Sequence, residues 1–277
     1  MDLIIGTSIG ALVGGVYATT GSAAETERRF IGFAHSGDFR RRAFDFIREA
    51  RKESKGGLLS STSGLIRRGI FYGYSLYKVS FISAESIAHN INSLLPDERI
   101  ENTKMPFAAV AADIQNAQEV ILAGGSIRRM VAASCAIPGI LPPVMIDGRT
   151  FIDGGWVDRV PTLPALRLGM DLVIGVDISP ELEDTRELRK GLDVLVRANA
   201  IKAEALKNFQ CRMLDVLIRP RVGQTHWADF TGALTLIDEG DKATTEKIPE
   251  IREAIEQGRW KSRLGYSRGK RFARSFF

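Results

Sequence analysis

Cysteine is scarce in this 277-residue chain: there are two, Cys135 and Cys211, too few for a disulfide framework. Neither has neighbours at metal-ligand spacing, so both read as buried thiols of a reducing cytoplasm. Histidine is nearly as scarce, with His35, His89 and His226. No apolar run approaches the roughly 20 residues needed to span a bilayer. The first residues, Met1-Asp2-Leu3-Ile4-Ile5, lack the basic region of a signal peptide and run straight into a glycine turn. A large charge of one sign is also lacking: 38 basic against 33 acidic residues leave a net charge of +5. Together these absences exclude a disulfide-rich secreted scaffold and a helical membrane span in the chain as given. The expected location is cytoplasmic, with peripheral membrane contact left open.

The small basic excess is unevenly placed. Residues 258–277 carry Arg259, Lys261, Arg263, Arg268, Lys270, Arg271 and Arg274 with no acidic residue, interleaved with Trp260, Tyr266, Phe272, Phe276 and Phe277. Such a tail suits anionic lipid headgroups, each basic residue contributing about 1 kcal/mol near the surface. A solvated tail is the equal alternative. Nucleic acid is not expected as a partner, because no nucleic-acid-binding motif accompanies the charge. We read residues 1–257 as one domain and 258–277 as a basic aromatic tail.

Hydrophobic residues make up 44% and charged residues 26%, the balance of a globular protein. Leu3-Ile4-Ile5 reads as a buried strand, and residues 9–17 as a helix rich in Gly and Ala. Helices are expected from about residue 24 to 95, with Ser83 as an N-cap and Glu85 favourable in the first turn. The pattern then switches to strands over residues 106–112 and 120–122, around a polar turn at Gln115-Asn116. Ser126 is expected to cap a helix that ends before Pro138. Val144 to Ile146 and Phe151-Ile152 flank Asp147-Gly148, a hairpin signal. Residues 161–168 read as a helix and 172–176 as a fully buried strand. A helix near 185–209, a strand near 216–218 and a last helix near 238–257 follow. Strands separated by helices predict an α/β fold with a largely parallel central sheet.

Gly6-Thr7-Ser8-Ile9-Gly10 matches G-x-S-x-G, with a strand before it and a small-residue helix after it. That context suits a tight turn projecting the Ser8 hydroxyl, and a side chain at Gly6 or Gly10 is expected to crowd it. The helix N-terminus beneath Ser8 favours a developing oxyanion, and the N–H of Ile9 is the natural donor. A plain packing turn is the alternative.

A serine hydroxyl needs a base. His35 and His89 fall in expected helices and read as surface residues. His226 follows Ser8 and Asp153 in the chain order of α/β-hydrolase triads, but Gln224-Thr225-His226-Trp227 has no triad signature. Asp153 is the better candidate. It ends a short apolar strand in Phe151-Ile152-Asp153-Gly154-Gly155-Trp156, where two glycines permit a sharp turn and a close approach. Its ordinary pKa of about 3.9 calls for partial burial if it is to act as a base. Asp113 and Asp147-Gly148 show that carboxylate turns are common, so Asp-Gly-Gly alone is weak.

The residues from Asp2 to Leu12 resemble the nucleophile segment of bacterial patatin-like phospholipases. Ala133-Ser134-Cys135-Ala136-Ile137-Pro138-Gly139 through Pro143 resembles the segment before that family's acid loop, and Asp153-Gly154-Gly155 its D-G-[AG] motif. Val157-Asp158-Arg159-Val160-Pro161, residues 169–177, Leu217-Ile218-Arg219-Pro220 and Trp227-Ala228-Asp229-Phe230 continue the likeness. The resemblance implies a three-layer α/β/α fold and a Ser–Asp dyad, with Ser8 as nucleophile and Asp153 as general base. It also implies hydrolysis of lipid acyl esters through an acyl-serine, with no metal or cofactor.

Family members carry an apolar strand and a G-G-G-x-[KR]-G loop ahead of the nucleophile strand. Here only Met1 to Ile5 precede Gly6, so the usual first strand and most oxyanion donors are expected to be missing. A misplaced start or truncated gene is the favoured explanation, and a catalytically inactive lipid-binding or regulatory module the alternative. Residues 1–277 are accordingly expected to hydrolyse esters weakly. Ile70-Phe71-Tyr72-Gly73-Tyr74 reads as core, with a lipid-pocket lining as the other reading.

Overall fold

The computed structural model describes residues 1–36, 83–180, 182, 188, 190–223 and 232–263. The stretch Ile70 to Tyr74, His226 with its neighbours, the segment Trp227 to Phe230, Thr185 and the tail from residue 264 lie outside the described residues. The chain divides into two compact units, Met1–Gly154 with His226–Ala233, and Gly155–Thr225 with Leu234–Phe277.

In the first unit, strand β1 (Ile4–Thr7) leads into helix α1 (Ile9–Thr20), followed by α2 (Ala23–His35) and α3 (Ala84–Leu94). Ser22 and Ser83 cap α2 and α3, each accepting from a backbone N–H in the first turn at 3.3 Å. Such caps contribute about 1 kcal/mol each. Strands β2 (Phe107–Asp113) and β3 (Gln118–Leu122), helix α4 (Ile127–Ser134), and the hairpin β4 (Val144–Ile146) and β5 (Arg149–Asp153) complete the unit. Asp147 and Gly148 both adopt positive φ, 50° and 78°, which is the hairpin turn expected of Asp-Gly.

The sheet is mixed. Strand β1 pairs parallel with β2, whereas β3 and β5 pair antiparallel with β2 and β4 pairs antiparallel with β5. Thus β1, β2 and β4 run one way, and β3 and β5 the other. The registers place β1 against Phe107 to Val110 and β5 against Ala111 to Asp113, while β3 covers Ala109 to Asp113. Overlap with β3 forces β1 and β5 onto the same, opposite edge of β2. They meet there end to end: Thr7 faces Val110, and Asp153 faces Ala111.

The core explains the composition of α1. A side chain at Gly14 would stand 3.0 Å from Ile4, and one at Gly15 3.4 Å from Val131. Small residues there let α1 lie close on the sheet, and Val16, Phe107, Ile127 and Val131 are buried in the core it helps to form. Strand β2 is buried along its whole length.

Asp113 ties this arrangement together. Its carboxylate accepts from the N–H groups of Gln115 and Asn116, from the Asn116 side chain and from Arg149 Nε at 2.7 Å. It therefore closes the β2–β3 turn and clamps β5 to β2. The Asn116 side chain first, then Arg149, hold its carboxyl well below the usual carboxylate range. A lowered folded-state pKa means that the stabilisation is present above the unfolded value of about 3.9 and fades as pH falls below it. Asp113→Asn is expected to lower the unfolding midpoint at pH 7 and to differ less from the parent at pH 3. Thermal scans at the two pH values check this, and an equal difference at both would contradict it.

In the second unit, α5 (Thr162–Arg167), β6 (Ile174–Val176), α6 (Gly191–Cys211), β7 (Val216–Ile218) and α7 (Ala233–Arg263) follow in order, with β6 and β7 parallel. An ion cluster centred on the buried pair Lys207 and Asp177 sits here: Lys207 Nζ lies 3.1 Å from Asp177 and 3.0 Å from the half-buried Glu204, and the exposed Arg219 places its Nε 3.3 Å from Asp177.

The α/β fold is as expected, with local corrections. The strand read as fully buried over 172–176 is shorter, and its Ile174 and Val176 are exposed, only Gly175 being buried. An apolar run carries no record of which face meets a neighbour. Ser126 stands at the N-cap of α4, but its side chain makes no capping hydrogen bond. Helix α7 passes through Gly258, so the change of composition there is not a break in secondary structure. No described helix is long and apolar enough to cross a membrane.

Candidate active site

Ser8 occupies the turn between β1 and α1, with φ 54° and ψ −122°. A non-glycine residue at positive φ is strained, and such strain persists only where the surroundings enforce it. The glycine at position 6 is one cause. A Cβ there would lie 2.3 Å from the Gly10 carbonyl oxygen and 2.4 Å from the Ala11 nitrogen, so only glycine fits. Gly10 corrects the sequence reading: among the described residues, nothing beyond its chain neighbours and its own helix backbone lies within 4 Å of a Cβ built there. The turn folds back on its first glycine and leaves its second facing open space.

The Ser8 hydroxyl donates to Asp153 Oδ2 at 2.5 Å. Ser8 is half-buried, and Asp153 is 4% exposed. The strand registers bring them together, because β1 and β5 end at adjacent positions on one edge of β2. Gly154 permits the approach: a Cβ there would lie 2.2 Å from the Val110 carbonyl oxygen. Ile9, the first residue of α1, has an N–H without an intrahelical acceptor and is 37% exposed beside Ser8.

The two described histidines, His35 and His89, lie on helices. His35 is exposed at the end of α2, where its Nδ1 lies 2.8 Å from the Ile31 carbonyl oxygen, and His89 is exposed on α3. Asp113 and Asp147 serve turns. Among the described residues no cluster of His, Cys, Asp or Glu is arranged to hold a metal ion.

Sequence reasoning missed three contributors. Ser134, fully buried at the end of α4, accepts from the Ser8 N–H at 2.9 Å and donates to the Val110 carbonyl at 2.6 Å. The Cys135 thiol donates to the Ser8 carbonyl at 3.2 Å. Burial, and then the charge of Asp153, push that thiol well up, so it stays protonated as a donor must. Ala136 accepts from the Asp153 N–H at 2.9 Å. The only signal was the likeness of Ala133-Ser134-Cys135-Ala136 to a family segment, which carried no role for any of these residues.

Residues 1–166 match the family model for patatin-like phospholipases. The chain is 27% identical over 185 residues to patatin-like phospholipase domain-containing protein 6 of Mus musculus, covering 66% of this chain and 12% of that protein. It is 29% identical over 176 residues to an uncharacterized NTE family protein of Mycobacterium bovis, covering 64% and 40% respectively. With the lysophospholipase NTE1 of Mycosarcoma maydis it shares 26% identity over 185 residues, covering 67% and 8%. The matches thus span between 8% and 40% of these relatives' own length. With the family model covering more than half of its residues, the chain belongs to the patatin-like phospholipase family.

Proposed function

We propose that the protein is a serine acyl hydrolase acting on lipid acyl esters, with Ser8 as nucleophile and Asp153 as general base. The hydrogen bond from Ser8 Oγ to Asp153 Oδ2 carries this reading. Names of relatives, phospholipase and lysophospholipase, support the lipid substrate class.

The chemistry runs in two halves. As Ser8 Oγ attacks the ester carbonyl, its proton passes to Asp153, and the carbonyl electron pair moves onto oxygen. The N–H of Ile9, in the first turn of α1 and so without an intrahelical acceptor, stabilises that oxyanion. Collapse expels the alcohol, which takes the proton from Asp153 and leaves an acyl-serine. Water then attacks the acyl group, giving its proton to Asp153. The second tetrahedral species collapses to free acid, and the proton returns to Ser8. No metal enters either half.

A fluorophosphonate probe tests the nucleophile directly. We expect one adduct, located at Ser8 by mass spectrometry and absent from Ser8→Ala. Labelling at another residue would contradict the assignment. An unlabelled parent protein would move the reading to lipid binding without turnover.

A further inference from the structure

We infer that the consecutive residues Ser134, Cys135 and Ala136 act as a positioning clamp, holding the backbones of Ser8 and Asp153 in register for proton transfer; the inference rests on the dyad reading above.

Ser8 is the place where a clamp is needed. Its backbone stands at φ 54° and ψ −122°, which a serine would leave if released. Both of its peptide groups are held by the same short segment. The Ser8 N–H donates to Ser134 Oγ at 2.9 Å. That hydroxyl donates its O–H to the Val110 carbonyl at 2.6 Å, so it faces Ser8 only as an acceptor. The Ser8 carbonyl accepts from Cys135 Sγ at 3.2 Å and from the N–H groups of Ala11 and Leu12, which begin α1. One residue further on, the Ala136 carbonyl takes the Asp153 N–H at 2.9 Å.

The segment is itself fixed. It continues from α4, whose Met130, Val131, Ala133 and Ser134 are buried, and the Cys135 N–H closes the helix onto Val131 at 3.0 Å. Ser134 also bonds the Val110 carbonyl that Gly154 approaches, so nucleophile turn, acid turn and clamp share one point of β2. A residue that only filled space would not hydrogen-bond both faces of the nucleophile and the backbone of its base. Misplacing reacting groups by about 1 Å can cost about a hundredfold in rate, so these bonds should register in turnover more than in folding.

The test uses the whole chain and three variants: Ser134→Ala, Cys135→Ala and Cys135→Ser. The readouts are the rate of fluorophosphonate labelling at Ser8, kcat and KM on a soluble ester, and amide hydrogen exchange at Ser8 and Asp153. For Ser134→Ala we expect labelling and kcat to fall about a hundredfold with KM little changed. Exchange at the Ser8 N–H should rise at least about tenfold. For Cys135→Ala we expect about a tenfold loss, most of it recovered in Cys135→Ser, which restores a donor to the Ser8 carbonyl. Parent-like labelling in both alanine variants, with Ser8→Ala unlabelled, overturns the clamp and leaves the dyad standing. If the parent itself is not labelled, the dyad reading fails, and unaltered Ser8 exchange in Ser134→Ala overturns the clamp independently. If Ser134→Ala does not melt cooperatively, the Cys135 pair decides: equal rates in alanine and serine variants overturn the proposal.

Discussion

Asp153→Asn is expected to lower kcat by about 10³-fold while the unfolding midpoint stays within about 4 °C of the parent. Asparagine matches aspartate in shape, and its amide oxygen can still accept from Ser8 Oγ, now 2.5 Å from the carboxylate. It cannot take the proton. The nucleophile then attacks as a neutral hydroxyl, and the contribution of general-base catalysis is lost. Stability should change little, because a 4% exposed carboxylate is replaced by a neutral group of the same volume. The companion variant is His226→Ala, which the dyad reading leaves at the parent rate and a histidine triad would abolish. Retained turnover in Asp153→Asn together with loss in His226→Ala would reverse the assignment of the base. Steady-state kinetics on a chromogenic ester, beside a thermal scan of each variant, suffice.

Gly6→Ala should be the most damaging single methyl in the nucleophile turn, costing about 3 kcal/mol or more. The added carbon would sit 2.3 Å from the Gly10 carbonyl oxygen and 2.4 Å from the Ala11 nitrogen. Both are backbone atoms of the first turn of α1, so no rotamer change relieves the clash. The turn must open, and Ser8 moves with it. For a chain of this size the loss corresponds to at least about 6 °C in unfolding midpoint. Gly10→Ala is the control from the same motif. Its Cβ meets nothing within 4 Å among the described residues beyond its chain neighbours and its own helix backbone, and alanine is the better helix former, so stability should stay level or rise by up to about 1 kcal/mol. Equal melting of the two variants would refute this account of the turn. The two glycines of G-x-S-x-G thus carry different physical demands, which their symmetric spacing conceals.

Among the described residues, most of the local structure was legible in the sequence. The strand and helix around Ser8, the cap at Ser83, the Asp147-Gly148 hairpin and the strands flanking it follow from steric and periodic rules acting over a few positions. Readings that depended on a neighbour in space fared worse. The crowding expected at Gly10, the full burial expected of residues 172–176 and the capping bond expected from Ser126 each require knowing what packs alongside. Cys135 read only as a buried thiol, because its partner, the Ser8 carbonyl, lies 127 positions away.

By itself, the sequence determined that Ser8 stands on a tight strand-to-helix turn, that Asp153 ends a strand before glycine, and that no histidine has a triad context. Those properties are local, set by chain sterics and hydrogen bonding within a turn. Only the tertiary structure decided that Ser8 and Asp153, 145 positions apart, meet at 2.5 Å, and that Ser134, 126 positions from Ser8, accepts from the Ser8 N–H. That meeting depends on β1 and β5 sharing one edge of β2 with adjacent registers. Strand register is a property of the assembled sheet: a shift of one residue would turn Asp153 to the other face, and no stretch of local sequence records it.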